Sequence, residues 1–273
     1  MSYTEKNVQT LDVAAIIKAK AGAKANKIPA WGYRLIEKFI HQDFINSYLE
    51  EGREGVDFCQ GALDRLHVKI TVKGVENIPE SGRFTFVSNH PLGAVDGVTM
   101  GAILGEKYNG NIKFLANSLL MNIKAIAPLF IPVNKLGGQA RDLSRLIDEA
   151  FAGSDQMIMF PAGLCSRKID GKIQDIPWGK AFINKSVEHG RDIIPVHFIG
   201  VNSRRFYRIA RFCKFFKIKF NLAMLTLPDE MYRSQGREYT VIFGKPIPFT
   251  SFDNSRTPLE WAQYVRAKVY EIE

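Results

Sequence analysis

From Val68 onward the chain alternates short apolar runs with helical patterns, and this alternation restricts the fold more than any other feature. The runs VKITV (68–72), FTFVS (84–88), IKFLA (112–116), LFIPV (129–133), QMIMF (156–160), IIPVHFIGV (193–201), KFNLAML (219–225) and YTVIF (239–243) have the length and texture of strands. Helical patterns lie near 97–107, 139–152 and 179–189, and a last one covers about 258–272. The 139–152 pattern gathers Leu143, Leu146, Ile147, Ala150 and Phe151 on one face. Strands separated by helices predict an α/β fold, a mixed and largely parallel sheet flanked by helices.

The first 66 residues carry a different pattern, helical throughout. An Ala/Lys-rich stretch (12–27) is interrupted at Pro29, and WGYRLIEKFIHQDFINSYLEE then repeats apolar residues at three- and four-residue steps. A further helix covers about 57–66. The expected organisation is therefore a helical extension over 1–66 and an α/β domain over 67–273. The extension either packs on the core or lies in a membrane interface with Trp31, Tyr33 and Phe39 as anchors.

Composition narrows the function classes. Hydrophobic residues at 46% and charged residues at 24% of 273 are globular values and exclude a largely disordered or fibrous chain. Cys59, Cys165 and Cys213 lie far apart and make an odd number, which excludes a disulfide framework and a Cys-x-x-Cys site. The most apolar stretch, Phe114 to Val133, is broken by Asn117, Asn122, Lys124 and Pro128, so no bilayer span is expected. MSYTEKNVQTLD lacks the apolar centre of a signal peptide, so the protein is expected to stay on the side where it is made. The excess of 37 Lys and Arg over 28 Asp and Glu, a charge of +9, calls for an acidic partner: nucleic acid, anionic lipid or a phosphorylated small molecule.

Two segments just past strand ends could carry chemistry, as such positions do in α/β folds. The first is Asn89-His90-Pro91-Leu92-Gly93-Ala94-Val95-Asp96-Gly97. A histidine takes a proton near neutral pH, and an aspartate can fix its tautomer and stabilise the imidazolium. The same residues also suit a plain polar turn with Asp96 as a helix cap. The second segment is Phe160-Pro161-Ala162-Gly163-Leu164-Cys165-Ser166-Arg167-Lys168. Its Gly163 permits a tight turn whose backbone N–H groups could face an anion, with Arg167 and Lys168 adding charge. Phe130-Ile131-Pro132-Val133-Asn134-Lys135 ends another strand with a cation, and Ile193-Ile194-Pro195-Val196 opens a fourth. His197, inside an apolar strand, reads as a satisfied core residue. No cluster has metal-ligand spacing, so neither a metal nor a resident cofactor is expected.

Taken in order, these four blocks resemble those of the glycerolipid acyltransferases, the lysophosphatidate acyltransferase superfamily, over about Gly74 to Pro248. The spelling NHPLGAVDG with FPAGLCSRK is most similar to the bacterial hemolysin-related branch, which includes acyltransferases of amino-acid lipids. The chain departs from the pattern in four places. Five residues, not four, separate His90 from Asp96; Lys135 stands for an Arg, Ala162 for a Glu, and Cys165 for the Arg whose nearest substitute is Arg167.

The resemblance implies acyl transfer from a thioester, on acyl carrier protein or coenzyme A, to a lyso-lipid hydroxyl. Lysophosphatidate is the expected acceptor, with a lyso-amino-acid lipid of the N-acyl ornithine or N-acyl glycine type as the alternative. His90 is then the general base and Asp96 its orienting partner. The turn at Gly163 supplies oxyanion donors. Asn89, Lys135, Ser166, Arg167, Lys168 and Lys180 are substrate-binding candidates.

No acid occurs between Asp192 and Asp229, and within 202–220 the cations Arg204, Arg205, Arg208, Arg211, Lys214, Lys217 and Lys219 interleave with Phe206, Tyr207, Phe212, Phe215, Phe216 and Phe220. That pattern predicts contact with an anionic bilayer surface, peripheral on the cytoplasmic face of the inner membrane. Basic-aromatic interleaving also suits nucleic acid, but no nucleic-acid motif accompanies it, and no such partner is expected.

Overall fold

The computed structural model describes residues 10–22, 26, 28–117, 123–133, 140–216 and 226–273. Their strands are β1 (Lys69–Lys73), β2 (Phe84–Ser88), β3 (Ile112–Asn117), β4 (Phe130–Val133), β5 (Gln156–Met159), β6 (Arg167–Ile169), β7 (Lys172–Gln174), β8 (Asp192–Ile199) and β9 (Glu238–Phe243). Their helices are α1 (Val13–Ala21), α2 (Ala30–Phe39), α3 (Gln42–Leu49), α4 (Gly55–Arg65), α5 (Ala94–Lys107), α6 (Ala140–Ala152), α7 (Ala181–Glu188), α8 (Arg204–Phe215), α9 (Leu227–Tyr232) and α10 (Pro258–Glu271).

Seven strands form one sheet in the order β1-β9-β8-β2-β5-β3-β4, while β6 and β7 make a separate antiparallel hairpin. Every neighbouring pair in the large sheet is parallel except β8 and β9. The architecture is thus a mixed, largely parallel sheet flanked by helices, as the alternation of runs predicts. The expected strand at 219–225 lies outside the described residues.

All five residues of β2 are buried, Thr85 and Ser88 included, because the strand is covered on both faces and has no solvent side. Phe86 joins Val196, Phe198, Val241 and Phe243 under Met100 and Leu104 of α5. Val87, one residue on, joins Met157 and Ile193 under Phe151 of α6, Phe182 of α7 and Val265 of α10. Leu146, assigned by periodicity to the buried face of α6, is instead 40% exposed; the apolar arc there is wider than the surface α6 covers.

The N-terminal helices touch this core directly. On α5, a Cβ at Gly101 would meet Cys59 Sγ at 2.7 Å, and one at Gly105 would meet Val56 at 2.5 Å. These two glycines let α4 approach α5 more closely than any larger residue allows. Tyr48 of α3 donates its hydroxyl to the Phe58 carbonyl at 2.5 Å, tying α3 to α4. The segment 31–51 is not one helix, however. It breaks after Phe39, and His41 adopts a left-handed backbone (φ 56°). Distant partners hold it there: the His41 ring stacks on Tyr232 at 3.8 Å, and Nε2 lies 2.9 Å from the Asp229 carboxylate.

Candidate active site

Strands β2 and β5 are parallel neighbours, with Val87 opposite Met159, so their C-terminal loops emerge side by side at one edge of the sheet. The chain leaves β2 for β3 on one side and later returns to β8 on the other. Such a reversal opens the crevice in which open α/β sheets hold their ligands. The two segments singled out in the sequence meet there. His90 and Phe160 stack, ring centroids 4.1 Å apart, and the Ser166 N–H donates to the His90 carbonyl at 2.7 Å.

His90 and Asp96 form the expected pair despite the five-residue spacing. Nδ1 lies 3.1 Å from Asp96 Oδ2. The extra residue is absorbed where Gly93 takes φ 85°, a conformation disfavoured for side-chain-bearing residues, and its missing Cβ makes room for Cys165 Sγ, which would otherwise sit 2.8 Å away. Asp96 is fully buried in the first turn of α5. Its Oδ2 accepts the Leu92 and Gly93 N–H groups at 3.0 and 3.2 Å, and Oδ1 accepts the Gly97 N–H at 2.9 Å. Three backbone donors thus fix the Asp96 carboxyl group at the N-terminus of α5.

The electrostatics follow. Burial disfavours an imidazolium at His90, but the charge and hydrogen bond of Asp96, with the charge of Asp175 behind them, outweigh it. The net effect holds His90 above the ordinary histidine value of 6.5, with Arg167 opposing weakly. With Nδ1 on Asp96, Nε2 is the basic nitrogen. Among the described residues Nε2 has no hydrogen-bond partner, and the side chain is 18% exposed, so an incoming hydroxyl can reach it.

The other site candidates divide by geometry. Asn89 spends its amide on the sheet: Nδ2 donates to the Phe198 carbonyl at 2.9 Å, and Oδ1 accepts the Phe198 N–H at 2.7 Å. Ser166 is 1% exposed and donates to Asp175 at 2.5 Å. Both are engaged in holding the loops rather than open to a ligand. Gly163 has the expected left-handed turn conformation (φ 64°), but its N–H donates to the Phe160 carbonyl at 2.9 Å and closes the turn. That N–H is therefore not available to an oxyanion.

Arg167 is half-buried beside His90, donating to the Cys165 carbonyl at 2.5 Å with its guanidinium over the Phe206 ring at 5.3 Å. Lys168 is exposed on the β6–β7 hairpin and Lys180 is exposed before α7. Lys135 lies outside the described residues. His197 is hydrogen-bonded as expected, Nδ1 2.9 Å from the Ile272 carbonyl oxygen, but it is half-buried at the edge of the core and not within it.

Sequence reasoning missed Asp175. It follows β7, is completely buried, and touches both Ser166 and the His90 main chain. Nothing in KIQDIPW announces this, since an aspartate two residues before a proline reads as part of a turn. Elsewhere, Asp148, Glu188 and His189 converge within 4.8 Å, but the Lys185 ammonium already bridges Asp148 and Glu188.

In the 202–220 stretch two of the five described aromatics are buried and three are exposed. Phe206 and Tyr207 are buried with Ala210 against Cys165, whereas Phe212, Phe215 and Phe216 are 53%, 78% and 58% exposed. Arg204, Arg208 and Arg211 are exposed beside them, while Arg205 is tied to Asp229. Lys217, Lys219, Phe220 and the side chain of Lys214 lie outside the described residues. No helix among the described residues is long and apolar enough to cross a membrane.

Comparison with known proteins gives this geometry a context. A family model described as acyltransferase matches residues 15–273. A lyso-glycine lipid O-acyltransferase of Bacteroides thetaiotaomicron is 48% identical over 271 residues, covering 98% of this chain and 100% of that protein. One of the same description from Phocaeicola vulgatus is 46% identical, covering 98% of this chain and 97% of its own. Among solved structures, the 1-acyl-sn-glycerophosphate acyltransferase of Thermotoga maritima aligns with a TM-score of 0.49 at 18% identity, covering 95% of this chain and 88% of that one.

Proposed function

The chain belongs to the acyltransferase family, and from that premise we propose that this O-acyltransferase moves a fatty acyl group from a thioester to the hydroxyl of a lyso-glycine lipid, with His90 as general base. The observation that carries the mechanism is His90 Nδ1 on the buried Asp96 carboxylate, which leaves Nε2 basic and reachable. A hydroxyl is a poor nucleophile at neutral pH. Nε2 takes its proton as the oxygen attacks the thioester carbonyl, and the imidazolium then returns a proton to the departing thiolate. Asp96 holds the ring throughout and faces the imidazolium that forms.

The acceptor follows from the relatives and from chemistry. Both curated relatives act, by their names, on a lyso-glycine lipid, which favours the amino-acid-lipid alternative over lysophosphatidate. Glycine has no hydroxyl of its own, so the acceptor oxygen must sit on its N-acyl chain and the head is a single carboxylate. Ala162 in place of a glutamate is consistent with such an acceptor, because a carboxylate there would repel the head. Arg167, with Lys168 and Lys180 nearer the rim, is suited to attract it.

The donor is an acyl carrier protein or coenzyme A thioester, and no resident cofactor is required. We place the enzyme peripherally on the cytoplasmic face of the inner membrane, where such thioesters meet lyso-lipids, with α8 as the contact.

The test is acyl transfer from a defined acyl thioester to a synthetic N-(hydroxyacyl)glycine, with lysophosphatidate and an ornithine counterpart run alongside. His90→Ala is expected to lower kcat by about 10²- to 10⁴-fold, the usual worth of a positioned general base. Asp96→Ala should approach the same loss. Unchanged turnover in His90→Ala eliminates the base, and a preference for lysophosphatidate eliminates the acceptor.

A further inference from the structure

His90 is held by a second buried carboxylate, which meets its main chain where Asp96 meets its ring. Asp175 Oδ1 accepts the His90 backbone N–H at 3.3 Å and the Ser166 hydroxyl at 2.5 Å, and Oδ2 accepts the Trp178 indole N–H at 2.9 Å. The Ser166 N–H in turn donates to the His90 carbonyl at 2.7 Å, so Asp175 and Ser166 bracket both polar groups of the His90 main chain. Asp175 is itself anchored from behind: its N–H donates to the Tyr270 hydroxyl at 2.8 Å, and Arg266 donates to its carbonyl at 2.6 Å. Trp178, 1% exposed, packs edge-on to Phe182 and fixes the far oxygen.

Burial pushes the Asp175 carboxyl above its ordinary value and the hydrogen bonds from Ser166 and Trp178 oppose that shift; all three groups at its oxygens are donors, as a carboxylate requires. A buried charge with no cation hydrogen-bonded to it among the described residues is an expensive device for merely closing a loop, since neutral groups would do the same at lower cost. It lies within electrostatic reach of His90.

We propose that Asp175 is a positioning residue for the general base: Asp96 fixes the imidazole through Nδ1, Asp175 fixes the main chain from which the ring projects, and together they aim Nε2 at the acceptor hydroxyl. This rests on the reading of His90 as base. The imidazolium formed during acyl transfer then has two carboxylates within electrostatic reach, with Arg167 opposing them, the buried Cys165 thiol held neutral by burial, and Phe160 covering one ring face.

The test combines the pH profile of kcat/KM with direct titration of the His90 ring by NMR, the signal assigned by its loss in His90→Gln. In Asp175→Asn, which retains shape and loses charge, both the ring titration and the acid limb of the profile are expected to move to lower pH together. The shift should be roughly half a unit to one unit, the smaller end of what an opposite charge a few ångström away produces. Trp178→Phe, which removes a donor and leaves the charge, should leave the acid limb in place.

A purely structural Asp175 would change the melting temperature in both variants and move the limb in neither; that result overturns the proposal. Should Asp175→Asn fail to fold, Asp175→Glu keeps the charge on a longer arm. It is expected to lower kcat about tenfold or more with the limb unmoved, since small misplacement of a catalytic group is costly, and unchanged kcat overturns the proposal. Loss of turnover in His90→Ala with no shift in Asp175→Asn refutes this inference alone. Normal turnover in His90→Ala refutes the reading beneath it.

Discussion

His90 stands between burial, which disfavours its charge, and Asp96 with Asp175, which together favour it more strongly. Its value therefore lies above the 6.5 of a free imidazole, and this has two consequences of opposite sign. The charged ring is bound more tightly in the folded than in the unfolded chain. Its contribution to stability is complete below about pH 6.5 and is lost as pH rises through the higher folded value. Catalysis needs the neutral ring, so kcat/KM climbs over that same interval. We expect denaturation midpoints of the wild type to fall relative to His90→Gln between about pH 6 and pH 8 while turnover rises. Parallel midpoint curves for the two proteins would show that His90 is not coupled to its carboxylates. The His90–Asp96 pair was legible in the sequence because a histidine after a strand and an acid in the next helix's first turn are local signals. Asp175 was not, because its role depends on the hairpin that follows β5 folding back beneath His90.

At the level of elements, the end of α6 is secured by a residue with no sequence signature. Arg191 is fully buried and directs its guanidinium at main-chain carbonyls: Phe151 at 2.7 Å, Gly153 at 2.7 Å, Asp155 at 2.8 Å and Phe84 at 3.2 Å, with Ala150 at 3.4 Å. Burial lowers its affinity for the proton, to about 10, which still leaves it charged at neutral pH. The carbonyl end of a helix is where a cation is best placed, and only a planar fork reaches so many acceptors at once. Arg191→Met should therefore lower stability by about 3 kcal/mol or more, because several buried carbonyls lose their donor together. Arg191→Lys should recover only part of that loss, and urea denaturation of the three proteins checks the order.

In the sequence, HGRDI placed Arg191 in an ordinary loop before a strand, since burial of a cation there is decided by α6 arriving from the other side. The break at His41 escaped notice for a related reason. Apolar periodicity continues through it, and the partners that hold the left-handed turn, Asp229 and Tyr232, lie almost at the other end of the chain.

For the whole molecule, the excess charge has a definite address. α8 buries Phe206, Tyr207 and Ala210 against Cys165 and turns Phe212, Phe215 and Phe216 outward among Arg204, Arg208 and Arg211. Its start is anchored by Glu230, which accepts the Ser203 N–H at 2.7 Å, and Asn202 reaches back to the Pro91 carbonyl at 3.1 Å, one residue from His90. A surface bound by α8 is thus rigidly related to the base, an arrangement that suits acceptors delivered from a bilayer.

Arginines near an anionic surface contribute about 1 kcal/mol each, so neutralising three of them, each to Gln, should reduce partitioning by roughly two orders of magnitude at moderate salt. Changing Phe212, Phe215 and Phe216 to Ser should weaken binding with much less salt dependence, because the lost term is apolar. Sedimentation with vesicles of mixed anionic and zwitterionic lipid, at two salt concentrations, separates these terms. In both variants turnover of a detergent-dispersed acceptor should remain near wild type while turnover of a vesicle-borne acceptor falls. Equal loss on both substrates would mean that α8 acts on the fold of the active site and not through the membrane.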